Sequence, residues 1–443
     1  MSGPSGAGAL PQAVLIVGSG AREHALAWRL AMDGVERVLV APGNPLMADV
    51  AEVIADVAAN DFDALAGLAR RTGALVMIGP EAPLVTGLAD RLVEEDVPVL
   101  GPLRNAAALE GSKAFCRAVA TAAGVAMAEG TDFTDAEAAL AYARRLGTPL
   151  VVKADGLAAG KGVAVCATLD EAEEAIGGML GGRFGAAGAR VVVERALEGR
   201  EASLIALCDG RDALLLPVAR DHKRVGDGDS GPNTGGMGAF SPVAEIDDTA
   251  AGRILDAVHR PVLAEMARRG TPFRGFLYAG LMLTADGPRL LEFNVRLGDP
   301  ETQAILPRLA SPLAPLLAAA AAGRLAEAAR TLGVGGPLLP VTGEAVVAVT
   351  LAAAGYPDAP LTGDAVAGIA DARRAGGLVF GAGVARDRDG ELVTAGGRVL
   401  SVVGRGADLA AAAETAYAAV DRISFAGRVM RRDIGRTLVG AAA

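Results

Sequence analysis

Apolar and polar positions follow two distinct periods along this chain. Residues 13–18, AVLIVG, form a continuous apolar run that meets a Gly turn, after which AREHALAWRLA repeats its apolar positions at helical spacing. LVMI runs into GPEAPL at residues 79–84, and VPVLGP follows a further helical stretch. This repeated order of strand, Gly-rich or Gly-Pro loop and helix predicts a parallel sheet, whose ligands bind at the carboxyl ends of its strands. From Glu110 the texture changes. EGSKAFCRAVATAAG predicts a helix capped by Ser112, with Lys113 in its first turn, and PLVVKADGLAAGKGVAVC (149–166) predicts a strand, a Gly-rich loop and a second strand. RVVVERALEGREASLIALCDG (190–210) reads as two strands joined by a short turn, and the polar, Gly-rich residues 220–242 read as one long loop. A helix over 247–269 carries His259 among Leu255, Val258 and Val262, which marks that histidine as structural. Residues 343–357 and 396–423 add strands and a helix; no catalytic cluster is visible beyond about residue 335.

One stretch breaks the apolar pattern in a chemically pointed way. In RLLEFNVRLGDPETQ (289–303), Leu291, Phe293 and Val295 alternate onto one face of a strand, while Glu292, Asn294 and Arg296 share the other. GLMLTADGPRL precedes it, so an Asp286-Gly287 turn predicts a hairpin that presents the polar face. Hard divalent cations take oxygen ligands and keep water and phosphate oxygens in the rest of their shell, so one carboxylate and one amide oxygen suffice for a Mg2+ site. On spacing alone a half-exposed edge strand accounts for the pattern equally well.

Composition narrows the field. The chain has 443 residues, 51% hydrophobic and 21% charged, which describes a folded protein of several domains. A net charge of -10 argues against a partner recognised by neutralising nucleic-acid phosphates. Three scattered cysteines, Cys116, Cys166 and Cys208, fit a reducing compartment. Residues 1–12 read as a floppy tail and not a secretion signal, and Pro312, Pro315 and Arg324 interrupt the Ala-rich run, so a soluble, cytoplasmic protein without membrane contact is expected. Of 42 basic residues only Lys113, Lys153, Lys161 and Lys223 are lysine. All four lie in Gly- or Asp-rich segments, where a compact ammonium approaches a phosphate oxygen more closely than a planar guanidinium does.

The loops sort into candidate sites. The turn after residue 17 lacks the third glycine of a dinucleotide fingerprint, with Glu23 in its place, and the next strand ends in Pro42-Gly43-Asn44 and not in an acidic residue; a smaller phosphate suits it better than a nicotinamide cofactor. His24 is expected to be an oriented residue at that turn and not a base, and Glu81 either touches ligand or starts a helix. No P-loop motif is present around Lys161, so a strand-loop-strand phosphate flap describes it. Glu194 and Glu201 either receive an adenine edge and ribose hydroxyls or are solvated turn charges. Asp221, His222, Lys223, Arg224 and Asn233 offer charges for a zwitterionic or phosphorylated substrate.

GSGAREHALAW, APGNP, GPEAPLV, LEGSKAF, VVKADGLAAGKGV, DHKRVGDGDSGPNTGGMGA, GFLYAGLM, EFNVRLGDPETQ, GYP and RRDIG occur in the order and spacing of the phosphoribosylamine-glycine ligase family, and the chain resembles that family over roughly residues 13–437. Ala21 and Leu297 depart from the usual Gly and Phe. The resemblance implies an α/β fold: a tail (1–12), an N-terminal parallel α/β domain (13–110), an ATP-grasp body (111–335) with a small mobile lid at about 132–203, and a C-terminal α/β domain (336–443). It implies ATP-dependent ligation of glycine to 5-phosphoribosylamine through a glycyl phosphate, in purine biosynthesis, by a monomer or weak homodimer. Another ATP-grasp carboxylate-amine ligase and a non-catalytic nucleotide binder are the alternatives. By the same resemblance, Glu292 and Asn294 hold Mg2+ (or Mn2+). Lys113, Lys153 and Lys161, with Gly160 and Gly162, hold the ATP phosphates, and Glu194, Leu197 and Glu201 the adenosine. Asp221, Lys223, Asn233, Thr234, Gly235, Met237, Arg296, Gly298 and Asp299 hold glycine and its acyl phosphate. Gly18, Gly20, Arg22, Glu23, Asn44 and Glu81 hold phosphoribosylamine. Lys153, Asp221 and Arg296 are the expected catalytic groups.

Overall fold

The computed structural model describes residues 8–158 and 161–436. Strands β1 (Ala13–Gly18), β2 (Arg37–Pro42), β3 (Glu52–Val53), β4 (Leu75–Ile78) and β5 (Val99–Leu100) form one sheet in the order β3-β2-β1-β4-β5, with every pair parallel. β1 and β4 are buried throughout, as continuous apolar runs in a covered parallel sheet should be. The helix Ala21–Met32 leaves the carboxyl end of β1 and the helix Glu81–Thr86 that of β4, so both turns open on the same edge.

β6 (Gly130–Phe133), β7 (Leu150–Ala154), β8 (Val163–Cys166) and β9 (Val191–Arg195) make a separate antiparallel sheet, ordered β6-β9-β7-β8, with a core of its own that includes Leu150, Val152, Ile176 and Val193. The β7–β8 pairing confirms the strand-loop-strand reading around Lys161. β10 (Arg200–Asp209) follows at once but does not form a hairpin with β9. It pairs instead with a strand some 70 residues later, and the boundary expected at 203 falls inside it.

The stretch expected as one long loop is largely strand. After β11 (Ala213–Leu215) come β12 (Arg220–Asp221), β13 (Arg224–Gly226), β14 (Ser230–Asn233) and β15 (Gly238–Ser241), and β15 is buried along its length. Its partner is remote. After β16 (Arg274–Thr284) and β17 (Gly287–Asn294), the chain forms β18 (Ala345–Ala352), β19 (Leu378–Gly381), β20 (Val384–Arg386), β21 (Leu392–Thr394) and β22 (Arg398–Gly406). The sheet order β12-β15-β18-β22-β19 inserts the middle of the chain into its end, and β18, wholly apolar but for Thr350, lies at the centre. Short polar strands with glycine survive here because β18 supplies the buried face they lack.

β10, β11, β16 and β17 form the fourth large sheet, in the order β11-β10-β16-β17. The β16–β17 hairpin turns through Ala285 and Asp286, with Gly287 at φ +105° closing it, one residue earlier than the expected turn. Gly280 pairs with Glu292 but Leu281 with Leu290, so Leu291 is bulged out of the ladder. The bulge moves the core position from Leu291 to Leu290, while Phe293 and Val295 stay buried as the alternation predicts.

Gly404 of β22 lies against the helix Leu409–Val420, and a Cβ there would collide with the Ala416 amide and the Ala412 carbonyl. Gly404→Ala should therefore destabilise the chain by about 1–3 kcal/mol through overpacking, read as a fall in thermal midpoint; an unchanged midpoint would show that the helix is free to move away.

Candidate active site at the end of strand β17

Glu292 and Asn294 emerge on one face at the end of β17, both half-buried. Burial acts to raise the Glu292 carboxyl, yet Lys223, Lys153, Lys113 and Arg296 together hold it below the usual carboxylate range. Its oxygens accept no hydrogen bond and make no close ion pair among the described residues. An ionised, unpartnered carboxylate with an amide oxygen two residues on is a donor set that suits a hard divalent cation. The Asn294 Oδ1 now accepts from Arg296 Nη2 (3.1 Å).

Three of the four lysines converge on this face. The bulge turns the Leu291 carbonyl towards Lys153 Nζ, which donates to it (3.1 Å) and pairs with Glu194. Glu194 also takes Arg117 (3.0 Å) and is 4% exposed, so the carboxylate expected at adenosine is spent on a buried ion network in this state. Lys113 Nζ donates to the Gly156 carbonyl (3.3 Å), and burial lowers its pKa. Asp155, which no motif singled out, ties the flap to that helix: its carboxylate accepts from Ser112 Oγ (3.0 Å) and the Ala114 amide (2.7 Å). Ser112 caps the helix as expected, accepting from the Phe115 amide (3.1 Å). Lys161 is exposed at the flap, and Gly162 is buried where a Cβ would strike Ala158; Gly160 lies outside the described residues. Leu197 is half-buried in the link between β9 and β10.

On the other side of Glu292 the charges pair. Burial acts to lower the Lys223 pKa, but Glu201 (2.6 Å) and Asp221 hold it well above the ordinary value. Burial raises the Asp221 carboxyl against the pull of Lys223. Below them Tyr278 Oη and Ser203 Oγ both donate to Glu301 Oε1 (2.8 and 3.0 Å). Arg296 is clamped by Glu110 (3.0 Å) and, more loosely, by Glu81 (3.5 Å), which lies at a helix start. Glu110 also accepts from the Val295 amide (2.8 Å), so it fixes the strand end as well as the guanidinium.

Sequence profiles of the phosphoribosylglycinamide synthetase family match the N domain over residues 12–110, the ATP-grasp (A) domain over 111–302 and the C domain over 346–437. A phosphoribosylamine–glycine ligase from Phenylobacterium zucineum is 49% identical over 429 residues, covering 96% of this chain and 99% of its own. The chain belongs to the phosphoribosylamine–glycine ligase family. The crystal structure of the Thermotoga maritima phosphoribosylamine–glycine ligase superposes with a TM-score of 0.79 at 35% identity, over 95% of this chain and 99% of its own. The fold is shared more widely: the biotin carboxylase domain of a Hydrogenobacter thermophilus 2-oxoglutarate carboxylase, solved with MgADP, superposes at TM-score 0.66 and 17% identity, over 95% of this chain and 92% of its own.

Against this family frame, several side chains expected to meet substrate are already occupied. Glu23 caps the first turn, accepting from the Gly20 amide (2.7 Å) and Arg22 Nε (2.6 Å), and a Cβ on Gly18 or Gly79 would strike it. Asn44 gives both amide hydrogens to the Ser19 and Gly381 carbonyls and accepts from the Leu46 amide, so it shapes the turn without a free polar atom. Met237 is 0% exposed and belongs to the core. Thr234 Oγ1 bonds the Lys223 carbonyl (2.8 Å), while Asn233 is half-buried with its side chain unbonded among the described residues. Gly298 is backed by Glu301, which a Cβ would strike. No catalytic cluster was visible beyond about residue 335, yet two side chains from there reach the segments assigned to substrate: Arg398 of β22 bonds Asp299 (3.0 Å), and Tyr356 bonds Gly235 (3.0 Å). Glu110, Asp155, Glu301 and Tyr356 stood inside quoted motifs without being singled out; Arg398 left no local signal.

All three histidines are buried. Burial lowers His24, His222 and His259 to about 4, aided by Arg373 at His24 and by Arg431 at His222. His24 Nδ1 accepts from the Gly381 amide (2.9 Å), and His259 Nε2 contacts the Leu204 carbonyl (3.2 Å), in keeping with the structural roles expected for both. A depressed folded pKa means that the unfolded chain takes up these protons first. Their contribution is therefore absent above about pH 7, destabilises as pH falls through 6.5, and levels off near 4. Urea unfolding should lose up to about 4 kcal/mol per pH unit to three such groups at the steepest point, and His259→Gln should remove about a third of that slope; an unaltered slope would mean that His259 is protonated in the fold.

Proposed function

We propose that this chain joins glycine to 5-phosphoribosylamine with ATP, giving glycinamide ribonucleotide, ADP and phosphate, a step of de novo purine synthesis. Family membership supports the reaction. The observation that carries the site assignment is the ionised Glu292, without a close partner and ringed by Lys113, Lys153 and Lys223.

A carboxylate does not accept an amine directly, because its oxygen is a poor leaving group. Transfer of the ATP γ-phosphoryl to a glycine carboxylate oxygen releases ADP and makes glycyl phosphate; attack by the phosphoribosylamine nitrogen on the carbonyl carbon then expels phosphate and gives up a proton. In-line transfer asks mainly for alignment and charge neutralisation. Lys113, Lys153 and the flap residues Lys161 and Gly162 fit the polyphosphate, and Glu292 with Asn294 fits Mg2+ or Mn2+. Such an ion supplies charge neutralisation between phosphate oxygens. With nucleotide present, Glu194 would exchange its bond to Lys153 for the adenosine, whose other neighbours are Leu197 and Glu201. Asp221, Lys223, Asn233, Thr234, Gly235, Arg296, Gly298 and Asp299 orient glycine and its acyl phosphate. The turn from Gly18 to Arg22, shaped by Glu23 and Asn44, receives the phosphoribosylamine with Glu81.

Residues 13–110 serve the amine substrate in this reading, 111–335 the nucleotide, and the β6–β9 sheet is the lid. No helix among the described residues is long and apolar enough to cross a membrane; a cytoplasmic enzyme agrees with the composition, and a monomer or weak homodimer is what the family resemblance implies.

A coupled ADP-release assay with each substrate omitted in turn tests the reaction: release over many turnovers should require ATP, glycine and phosphoribosylamine together, and failure of all three to elicit it would favour a different carboxylate-amine ligase. Glu292→Ala should cut turnover by roughly a thousandfold or more with its thermal midpoint retained, and full activity of that variant would remove the metal assignment.

A further inference from the structure

The segments GYP and RRDIG and the strand β22 are absorbed neither by the nucleotide side nor by the metal face. They grip the acceptor side. Arg431, 1% exposed, donates to Asp229 Oδ1 (2.6 Å), the Arg224 carbonyl (3.2 Å) and both oxygens of Asp433. Asp433 accepts from the Gly228 amide (2.9 Å), and the Arg432 amide donates to Asp227 (2.7 Å). The tip of the β13–β14 hairpin is thereby fastened to the end of the chain.

A second grip lies where that hairpin returns. Arg398 Nη1 donates to the Gly235 carbonyl (2.5 Å) and the Asp299 carbonyl (2.7 Å), and Nη2 donates to Asp299 Oδ2 (3.0 Å). Tyr356 Oη accepts from the Gly235 amide (3.0 Å). Gln303 Nε2 bonds the other Asp299 oxygen (2.7 Å). Burial acts to raise the Asp299 carboxyl, but Arg398 and Arg22 hold it below the usual range. A Cβ built on Gly20 would lie 3.7 Å from Asp299 Oδ2, so this carboxylate faces the first turn of the parallel sheet. Three distant stretches, 18–22, 233–236 and 297–299, meet here, and one guanidinium spans two of them. The charged and phenolic groups that act most strongly on Arg398 are Asp299, Tyr356, Glu301 and Arg296.

We infer that Arg398 is a positioning residue for the amine half of the ligation, holding Asp299 and Gly235 as one wall of the pocket for a phosphorylated amine. This rests on the function proposed above. The planar fork reaches acceptors on two segments at once, which an ammonium on a flexible stem does not reproduce. Loss of the fork frees the Gly235 carbonyl and leaves Asp299 buried with Gln303 as its remaining donor.

Steady-state kinetics of Arg398→Lys should show the KM for phosphoribosylamine raised about tenfold or more, the worth of a charged hydrogen bond, with the KM for ATP and the thermal midpoint close to wild type. Unchanged KM values, or an ATP KM raised equally, would overturn the inference. If the wild-type chain releases no ADP with these substrates, the proposed function fails, and amide exchange then decides about Arg398. Arg398→Gln should lose protection at Gly235 and Gly236 while β18 stays protected; retained protection at both glycines rejects the positioning role.

Discussion

One carboxylate in a field of lysines organises this molecule. Three ammonium groups brought together with no anion between them would repel one another, and a carboxylate as buried as Glu292 would drift towards its neutral form without them. The two tendencies cancel when all are present, and Glu292 remains ionised without a bonded partner. The arrangement draws on separate parts of the fold: Lys113 opens a helix, Lys153 ends a strand of the β6–β9 sheet, Lys223 precedes the β13–β14 hairpin, and Glu292 lies on β17. No single segment could assemble it.

The surroundings resolve the excess charge in two ways. On the side of the β6–β9 sheet, Lys153, Glu194 and Arg117 form a buried network. Removing one member of such a network leaves an uncompensated buried charge, whereas an incoming polyphosphate can replace Glu194 as the partner of Lys153 without stranding anything. On the acceptor side, Arg296 is fixed between Glu110 and Glu81, and Asp299 between Arg398 and Gln303. The first arrangement is suited to exchange and the second to rigidity, in agreement with the proposed nucleotide on one side and the proposed acyl group on the other.

The bulge at Leu291 connects the two sides. Strict alternation would bury Leu291 and keep its carbonyl in the ladder; the extra residue instead sends that carbonyl to Lys153 and puts Leu290 into the core. A one-residue irregularity in one strand thus docks the β6–β9 sheet onto the Glu292–Asn294 face, and the polar face of β17 keeps its direction because the register recovers at Glu292.

The sequence by itself determined whatever depends on near neighbours: the apolar runs of β1 and β4, the capped helix at Ser112, the flap around Lys161, the Glu292–Asn294 face, and the shortage of lysine that singled out four Gly- or Asp-rich segments. The motifs in order also determined the family. Tertiary structure alone decided what depends on remote partners. Residues 220–242 looked like a loop because the apolar face that makes β15 a buried strand arrives with β18, over a hundred residues later. β9 and β10 looked like a hairpin because adjacency in sequence conceals that they pair in different sheets. Glu23, Asn44 and Glu194 looked free for ligand because a sequence does not show which polar atoms the protein itself consumes, and Arg398 gave no signal because its acceptors lie 99 and 163 residues away. A local pattern specifies what a residue is able to bind; only the assembled fold specifies what is within reach of it.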